Sequence, residues 1–412
     1  MKQGSLSEYF QGVAVKRLTE VEASILKSNQ HEFNGVKALR LILGEPEQRV
    51  QYQAKMMYLS DWLSEPIVED STLTWYDARR RARMERGVER EEYRLYFQDT
   101  SVSANFAAGD LLVIASCQDT SLLVIVAKDG STISQQVEWL FGVETNYSAY
   151  DIRSENDFDK RELGFASRAV LEGIGIDIGW YDTANLDEMI SKFGKSFPTT
   201  LQFSAYSRSK CHDADPLADP DGALLSWVEK EEQLFRSFER HIVSKRLKDG
   251  FVDSYGEPDV DSFVSYSLSV QNRRKSRVGL SLENHLQHVF ETKRISYSRT
   301  ARTENNSRPD FLFPSQQSYH DPRYSPDRLA MLAVKSTCKD RWRQVLAEAD
   351  RIPAKHLFTL EAPISVKQTQ EMKARSLSLV IPRDLHALYA NTQRADLLSL
   401  SQFLEIVTGR SG

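Results

Sequence analysis

Asp310 and Lys335 have the residue types that phosphodiester hydrolysis asks for, and each stands at the end of a short apolar run. Asp310 opens Phe311 to Phe313, and Lys335 closes Met331 to Val334. If the two runs are neighbouring strands, a carboxylate and an ammonium meet at one edge of a sheet. A carboxylate there can hold a divalent cation, which polarises a phosphate and lowers the pKa of an attacking water. The lysine can orient that water or neutralise charge building on the phosphate. One carboxylate is too few to hold the ion. The common arrangement for this chemistry puts a second acid two residues before the lysine, but that position is Ala333. Glu348, in a helix expected from about 340 to 350, could swing back to the same edge. Glu283, in the first turn of a helix expected at 281 to 291, could add a third oxygen. Taken singly, each acid is equally an ordinary surface or capping residue, and spacing leaves both readings open.

The elements that must carry these residues fall into two halves. Residues 11 to 145 alternate short apolar runs (Gly12 to Val15, Leu73 to Tyr76, Tyr93 to Phe97, Leu111 to Ala115, Leu122 to Val126) with polar turns, a β-rich pattern. Residues 132 to 141 predict a short amphipathic helix. The segment Cys211 to Ala223 holds four aspartates and two prolines, the composition of an exposed linker. Beyond it the period changes: Leu224, Leu225, Val228, Leu234, Phe235, Phe238 and Ile242 stand near helical spacing over 223 to 247. The 281 to 291 helix follows, with Ser281 where an N-cap is wanted. Strands at 311 to 313, 331 to 334 and 356 to 360 complete an α/β pattern. The expected organisation is a first domain at 1–200, a linker at 201–222 and an α/β domain at 223–412.

The chain has 412 residues, 41% hydrophobic and 27% charged, which suits two soluble globular domains. Its net charge of -5 excludes a global basic field, so a nucleic-acid surface would have to be a local patch. Three widely spaced cysteines exclude a disulfide framework and suit a reducing cytoplasm. The first residues form no signal peptide, and apolar runs stop well short of membrane-spanning length. A soluble cytoplasmic protein, without membrane partners, is expected. His285 and His288 have an H-x-x-H spacing, but no matching Cys or acid cluster makes zinc the expectation; they read as packing or hydrogen-bonding neighbours of Glu283. Cys338 has no His-Asp pair spaced to activate it and reads as a buried structural thiol.

The words around these residues carry more than their spacing. The segments Ser269 to Arg277, Ser281-Leu282-Glu283, Pro309 to Ser315, Tyr319-His320-Asp321, Leu332 to Gln344, Glu348-Ala349-Asp350 and His356 to Leu360 together resemble the catalytic domain of EcoRII-type restriction endonucleases, over nearly all of 265 to 365. The resemblance implies a PD-(D/E)XK catalytic domain, with a mixed central sheet flanked by helices. In that family the second metal carboxylate has moved from the strand to the helix, which answers the Ala333 objection. It further implies Glu283, Asp310, Lys335 and Glu348 as catalytic residues and the three acids as magnesium ligands. The run Lys339-Asp340-Arg341 corresponds to the family's reader of consecutive G·C pairs. Lys and Arg can donate to guanine and Asp can accept from cytosine N4, although a charged first turn of a solvated helix would look the same. Tyr319 corresponds to an aromatic near the centre of the site, where bases are flipped and stacked; a plain core tyrosine fits it too. Arg273, Arg274, Lys275 and Arg277 are expected to contact phosphates.

The first domain resembles the same family less closely. There the resemblance implies a DNA-binding pseudobarrel that takes a second copy of the target as an effector. It points to Arg90 and Arg94, and with them Lys16, Arg17, Asn29 and His31. The reading that results is a magnesium-dependent, homodimeric type II endonuclease that cuts both strands of duplex DNA at a CCWGG-like site, beside a cognate cytosine methyltransferase. Two rivals stand next to it: a modification-dependent endonuclease whose first domain recognises methylated cytosine, and a DNA-binding regulator without catalysis.

Overall fold

A computed structural model describes the chain except for residues 1–4, 24–30, 36, 64, 88, 90, 144–149, 155–156, 158–164, 174, 177–181, 183, 339–340 and 412. It divides into two compact units, Met1–Ile178 with Ala362–Gln368, and Gly179–Glu361 with Thr369–Gly412.

The first unit is built on eight strands: β1 (Phe10–Arg17), β2 (Glu32–Gly35), β3 (Val50–Leu59), β4 (Ile67–Asp77), β5 (Tyr93–Tyr96), β6 (Leu111–Cys117), β7 (Leu122–Ala127) and β8 (Asp151–Ser154). They form one sheet in the order β2-β5-β4-β3-β7-β6-β1-β8. Every pair is antiparallel except β3 with β7. β6 and β7 are apolar on successive residues rather than alternate ones because both faces of the sheet are covered. One face packs Val13, Val15, Val113, Ile125, Leu140 and Phe141; the other packs Phe33, Leu73, Trp75, Leu95, Ile114 and Val124. Among the helices are α1 (Arg80–Arg86) and α2 (Thr132–Phe141). The α2 N-cap, Ser131, accepts from Ser134 N, and Gly142 closes the helix in a left-handed conformation.

All five strand runs expected in this half are present. β2, β3 and β8 were not anticipated: the first four residues of β3 alternate half-buried and exposed positions and none of them is fully buried, and the other two strands are four residues long.

The second unit holds a five-stranded sheet, β9 (Ser298–Arg299), β10 (Phe311–Phe313), β11 (Ala330–Val334), β12 (Lys355–Phe358) and β13 (Leu377–Val380), in the order β13-β12-β11-β10-β9. β11, β12 and β13 run parallel, while β10 is antiparallel to both its neighbours, so the sheet is mixed. The helices used below are α3 (Leu186–Phe193), α4 (Thr200–Arg208), α5 (Pro220–Asp249), α6 (Val260–Thr292), α7 (Gln316–His320), α8 (Trp342–Val345) and α9 (Leu400–Ser411).

Three expectations change here. The stretch 201–222 is not all linker, because α4 occupies its first part and buries Phe203 and Tyr206 against Met189, Leu234, Phe235 and Phe238. The helix read from 281 begins at Val260, capped by Asp259, which accepts from Ser262 N. Ser281 is therefore a buried mid-helix residue, and Glu283 lies far from the helix start. The extension carries Val260, Phe263, Val264 and Leu268 at helical spacing, and all four remain exposed in the fold. The helix expected from 340 to 350 is only the four residues of α8.

α4, α5 and α6 share a buried polar core. Glu231 is fully buried, with Arg277 at 3.3 Å and His285 Nε2 at 2.9 Å. Arg277 also pairs with Glu232 and lays its guanidinium over the Phe235 ring. Arg208 Nη1 lies 3.1 Å from His285 Nδ1. Arginine can only donate, so Nδ1 accepts and the ring proton sits on Nε2, facing Glu231. Burial pushes the His285 pKa down, which keeps the ring neutral. For Glu231 burial works upward, but His285 and Arg277 outweigh it and bring the carboxyl down to about 2. Among the described residues no helix is long and apolar enough to cross a membrane.

Two outcomes follow from this core. Arg277→Ala leaves Glu231 buried without its cation and is expected to cost roughly 3–5 kcal/mol in urea unfolding, against less than about 0.5 kcal/mol for Lys275→Ala on the exposed face; equal, small effects would remove Arg277 from the core. Because the folded pKa of Glu231 is depressed, its stabilisation is complete above the ordinary carboxylate range and is lost as pH falls from about 4.5 toward about 2. Glu231→Gln should flatten that acid limb in denaturation curves taken across pH 2 to 5, and an unchanged limb would contradict the assignment.

Candidate active site

β10 and β11 pair with Phe311 opposite Leu332, which sets Asp310 beside the end of β11. Asp310 Oδ2 accepts from Val334 N at 2.7 Å and from Lys335 Nζ at 3.0 Å. The expected carboxylate–ammonium edge therefore exists, and both side chains are mostly but not wholly covered. Lys335 N continues the ladder by donating to Phe358 O of β12 at 3.0 Å, so the backbone at the lysine is fixed from both sides.

Glu348 reaches this edge from a turn rather than from a helix. α8 ends at Val345, and Glu348 N donates to Val345 O at 3.1 Å. Trp342, Val345, Ala349 and Ile352, all essentially fully buried, anchor the segment on either side of it. Burial pushes the Glu348 carboxyl above its ordinary value; Lys335 and Lys355 oppose that rise and Asp310 adds to it. Glu348 Oε2 is buried, with no hydrogen-bond partner among the described residues.

Glu283 approaches from α6, whose Phe290 stands edge-on to Phe311 and Phe313 of the sheet. Burial raises its pKa too, Asp310 raises it further, and Arg299 and Lys335 pull it back. Arg299, on β9, donates from Nη2 and Nε to Glu283 Oε2 at 2.7 and 3.2 Å. Its Nη1 donates to Asn284 Oδ1 and Gln287 Oε1. Sequence reasoning missed Arg299: a single arginine in a polar stretch carries no periodic or motif signal. Lys355, buried on β12, was missed because a lysine in a strand ordinarily signals solvent.

The three acids thus share one electrostatic field, since Asp310 raises the pKa of both Glu283 and Glu348. Among the described residues no three acid, histidine or cysteine side chains converge closely enough to enclose one metal ion. The donor chemistry still fits a hard cation. Magnesium is usually held by one or two carboxylates and keeps several waters. Asp310 and the partnerless Oε2 of Glu348 supply such a pair, and both Arg299 contacts fall on one oxygen of Glu283.

Several residues expected to meet DNA are engaged elsewhere. Arg277 is buried in the helical core, and Arg274 pairs with the buried Glu239 at 2.5 Å. Arg273 lies over the Phe197 ring; Lys275 is exposed. Burial takes Arg277 out of reach of a phosphate, whereas Arg274 keeps a part of its side chain at the surface beside its pair with Glu239. Tyr319, on α7, is fully buried. Its hydroxyl donates to Glu304, and Arg351 lies over its ring, so it is a core tyrosine and its face is not offered to a base.

In the first unit Lys16 is buried with Glu22, Arg17 pairs with Asp129 and Glu138, and Arg94 pairs with Glu32 and Glu92. Those pairs take up charges expected to grip phosphates. His31 faces Asp99 at 3.2 Å. Asn29, Arg90, Lys339 and Asp340 lie outside the described residues, while Arg341 is exposed. Cys338 is fully buried, and burial pushes its thiol up, as a structural thiol requires. His285 sits in the core described above, and His288 packs edge-on to Trp227.

Comparison with known proteins shows what part of the chain is similar to. Residues 235–404 match the family described as EcoRII C terminal. The chain is 42% identical over 214 residues to the type II restriction enzyme EcoRII of Escherichia coli. That match takes in 52% of this chain and 51% of the enzyme, so the chain spans about half the length of the curated relative it matches. Two solved structures are also similar. One is metal-depleted Ecl18kI in complex with uncleaved, modified DNA, at 18% identity, over 56% of this chain and 85% of that one, with a TM-score of 0.44. The other is metal-depleted Ecl18kI in complex with uncleaved DNA, with the same identity and coverage and a TM-score of 0.42.

Removing the Arg299 guanidinium takes away the largest contact holding Glu283 ionised. In Arg299→Met the Glu283 carboxyl should titrate at higher pH than in the parent chain, read by carboxyl carbon NMR; an unmoved titration would show that the pair carries no weight.

Proposed function

We propose that this protein, whose residues 235–404 match the family described as EcoRII C terminal, is a type II restriction endonuclease that hydrolyses both strands of duplex DNA. The observation that carries the reading is the Asp310–Lys335 pair at the sheet edge, with the buried, partnerless Glu348 oxygen beside it in the same field. The site is a short CC…GG sequence of the CCWGG type, and the cofactor is magnesium. Asp310 and Glu348 would hold the ion, with Glu283 as a third oxygen donor. When bound, it polarises the scissile phosphate and makes a water at the site more acidic.

The chain's own residues do the rest. Val334 N and Lys335 Nζ fix Asp310 through one oxygen. Lys335 Nζ, which has three N–H groups, keeps donors for the attacking water or the phosphate oxygen. Arg299 holds Glu283 in place and keeps its negative charge at the edge. The segment Lys339-Asp340-Arg341, directly after the lysine, reads the G·C pairs. The exposed Arg341 supports that assignment. The first unit acts as an effector module on a second copy of the site, and the enzyme works as a homodimer beside a cytosine methyltransferase that protects the same sequence. With Lys16, Arg17 and Arg94 held in internal pairs, the exposed Arg86 of α1 is the better candidate for its phosphate contacts.

Digestion of methylated and unmethylated plasmids with magnesium, followed by sequencing of the ends, tests activity, site and methyl dependence together. Cutting confined to methylated plasmid would turn the reading to a modification-dependent enzyme; no cutting of either would favour a regulator. Lys335→Ala should abolish cleavage and leave DNA binding within about threefold, and Asp310→Ala and Glu348→Ala should resemble each other. Cleavage retained in Lys335→Ala would sink the active-site assignment.

A further inference from the structure

Glu348 reaches the sheet edge only if the turn that follows it keeps one shape. That turn is unusual: Ala349 has φ +50, a left-handed conformation that a residue with a Cβ rarely adopts. Such a conformation persists where its surroundings over-determine it. Here three side chains grip the backbone from 349 to 352, and a fourth, from Arg351 itself, ties the turn to the segment 319 to 324. Lys355 Nζ, on a buried lysine, donates to Ala349 O at 3.1 Å and to Ile352 O at 2.9 Å. Glu304 Oε2 accepts from Asp350 N at 3.3 Å. The Tyr319 hydroxyl donates to the same Glu304 carboxylate and accepts from Arg351 N at 3.2 Å. The Arg351 guanidinium turns back to donate to Tyr319 O, to Asp321 O at 3.1 Å and to Tyr324 O at 2.8 Å.

A buried ammonium and a buried phenol, with a half-buried carboxylate and a half-buried guanidinium, therefore meet at one turn, and none of them is part of the Asp310–Lys335 pair. A buried lysine normally needs an acid partner. This one instead spends its bonds on two backbone carbonyls next to the acid.

We propose that Lys355, Tyr319 and Glu304 are positioning residues that lock the 349–352 turn so that the Glu348 carboxylate faces Asp310 and Lys335. The inference rests on the reading of Glu348 as a metal ligand, and it gives Tyr319 work that a fully buried ring can do. It also explains how an acid carried on a loop can stand in for one carried on a strand. A strand residue inherits its position from the ladder, whereas a turn residue needs side-chain anchors.

Tyr319→Phe deletes one oxygen and keeps the ring, and Lys355→Met keeps most of the stem while deleting the charge; Glu304→Gln is the third variant should Lys355→Met fail to fold. Three measurements are made on the full chain: amide exchange at Asp350 and Arg351, manganese(II) binding by electron paramagnetic resonance, and affinity for duplex DNA without metal. In Tyr319→Phe and in Lys355→Met or Glu304→Gln, exchange at the two amides should quicken and manganese binding should weaken about tenfold, the scale of lost support around metal ligands. Metal-free DNA affinity should stay near that of the parent. Unchanged exchange and unchanged manganese binding in Tyr319→Phe overturn the proposal. So does lost DNA affinity with manganese binding intact, which would put the tyrosine against a base. Glu348→Gln separates the two layers: if it binds manganese like the parent while the turn variants still quicken exchange, the positioning role stands and the ligand reading falls.

Discussion

Three carboxylates drawn toward one partly dry sheet edge are the constraint on which the second unit is organised. Each would rather be hydrated, and the charge on Asp310 makes Glu283 and Glu348 harder to ionise. A site for a divalent cation has to accept that cost in advance, because the ion binds the ionised form. The fold offsets it with one cation for each acid, supplied from separate elements. Lys335 at the end of β11 serves Asp310, Arg299 on β9 serves Glu283, and Lys355 on β12 adds to Lys335 in the field around Glu348. Three strands of the sheet are thereby tied to three acids arriving from α6, the start of β10 and the turn after α8.

The same economy of charge runs through the rest of the chain. With 58 acids against 53 lysines and arginines, most basic side chains can find an acid nearby. Arg277 is spent in the helical core, Arg274 on Glu239, and Lys16, Arg17 and Arg94 within the first unit. A run of arginines in such a protein is therefore poor evidence of a nucleic-acid surface, since an internal pair and a phosphate contact ask for the same residue type. The useful observation is which arginines remain exposed once the acids are placed, and Arg341 is among them.

Much of the fold was legible because apolar spacing is a local property. The continuous runs of β6 and β7, the helical spacing of α5 and the short strands β10 and β11 follow from which residues must leave water together. Asp310 and Lys335 were legible for a related reason: each sits at the end of a strand, and pairing two strands fixes what their ends can touch. The resemblance supplied Glu348 and Glu283, which spacing alone left open between ligand and surface acid. What was read wrongly about those two was their setting. α6 starts some twenty residues earlier than the helix expected at 281, and Glu348 sits in a turn because α8 stops after four residues.

The sequence by itself determined the continuous apolar strands, the helical spacing of α5 and the types of residue brought to the chemistry, since those depend on neighbours a few positions apart. Only the tertiary structure decided which charges cancel. Arg299 opposite Glu283, Lys355 beneath the Ala349 turn and Glu304 against Tyr319 are meetings between residues from different elements, and no local period encodes them. Tyr319 shows the difference most plainly. Its type admits a stacking platform or a core residue, and burial together with the Glu304 carboxylate and the Arg351 guanidinium made it the second.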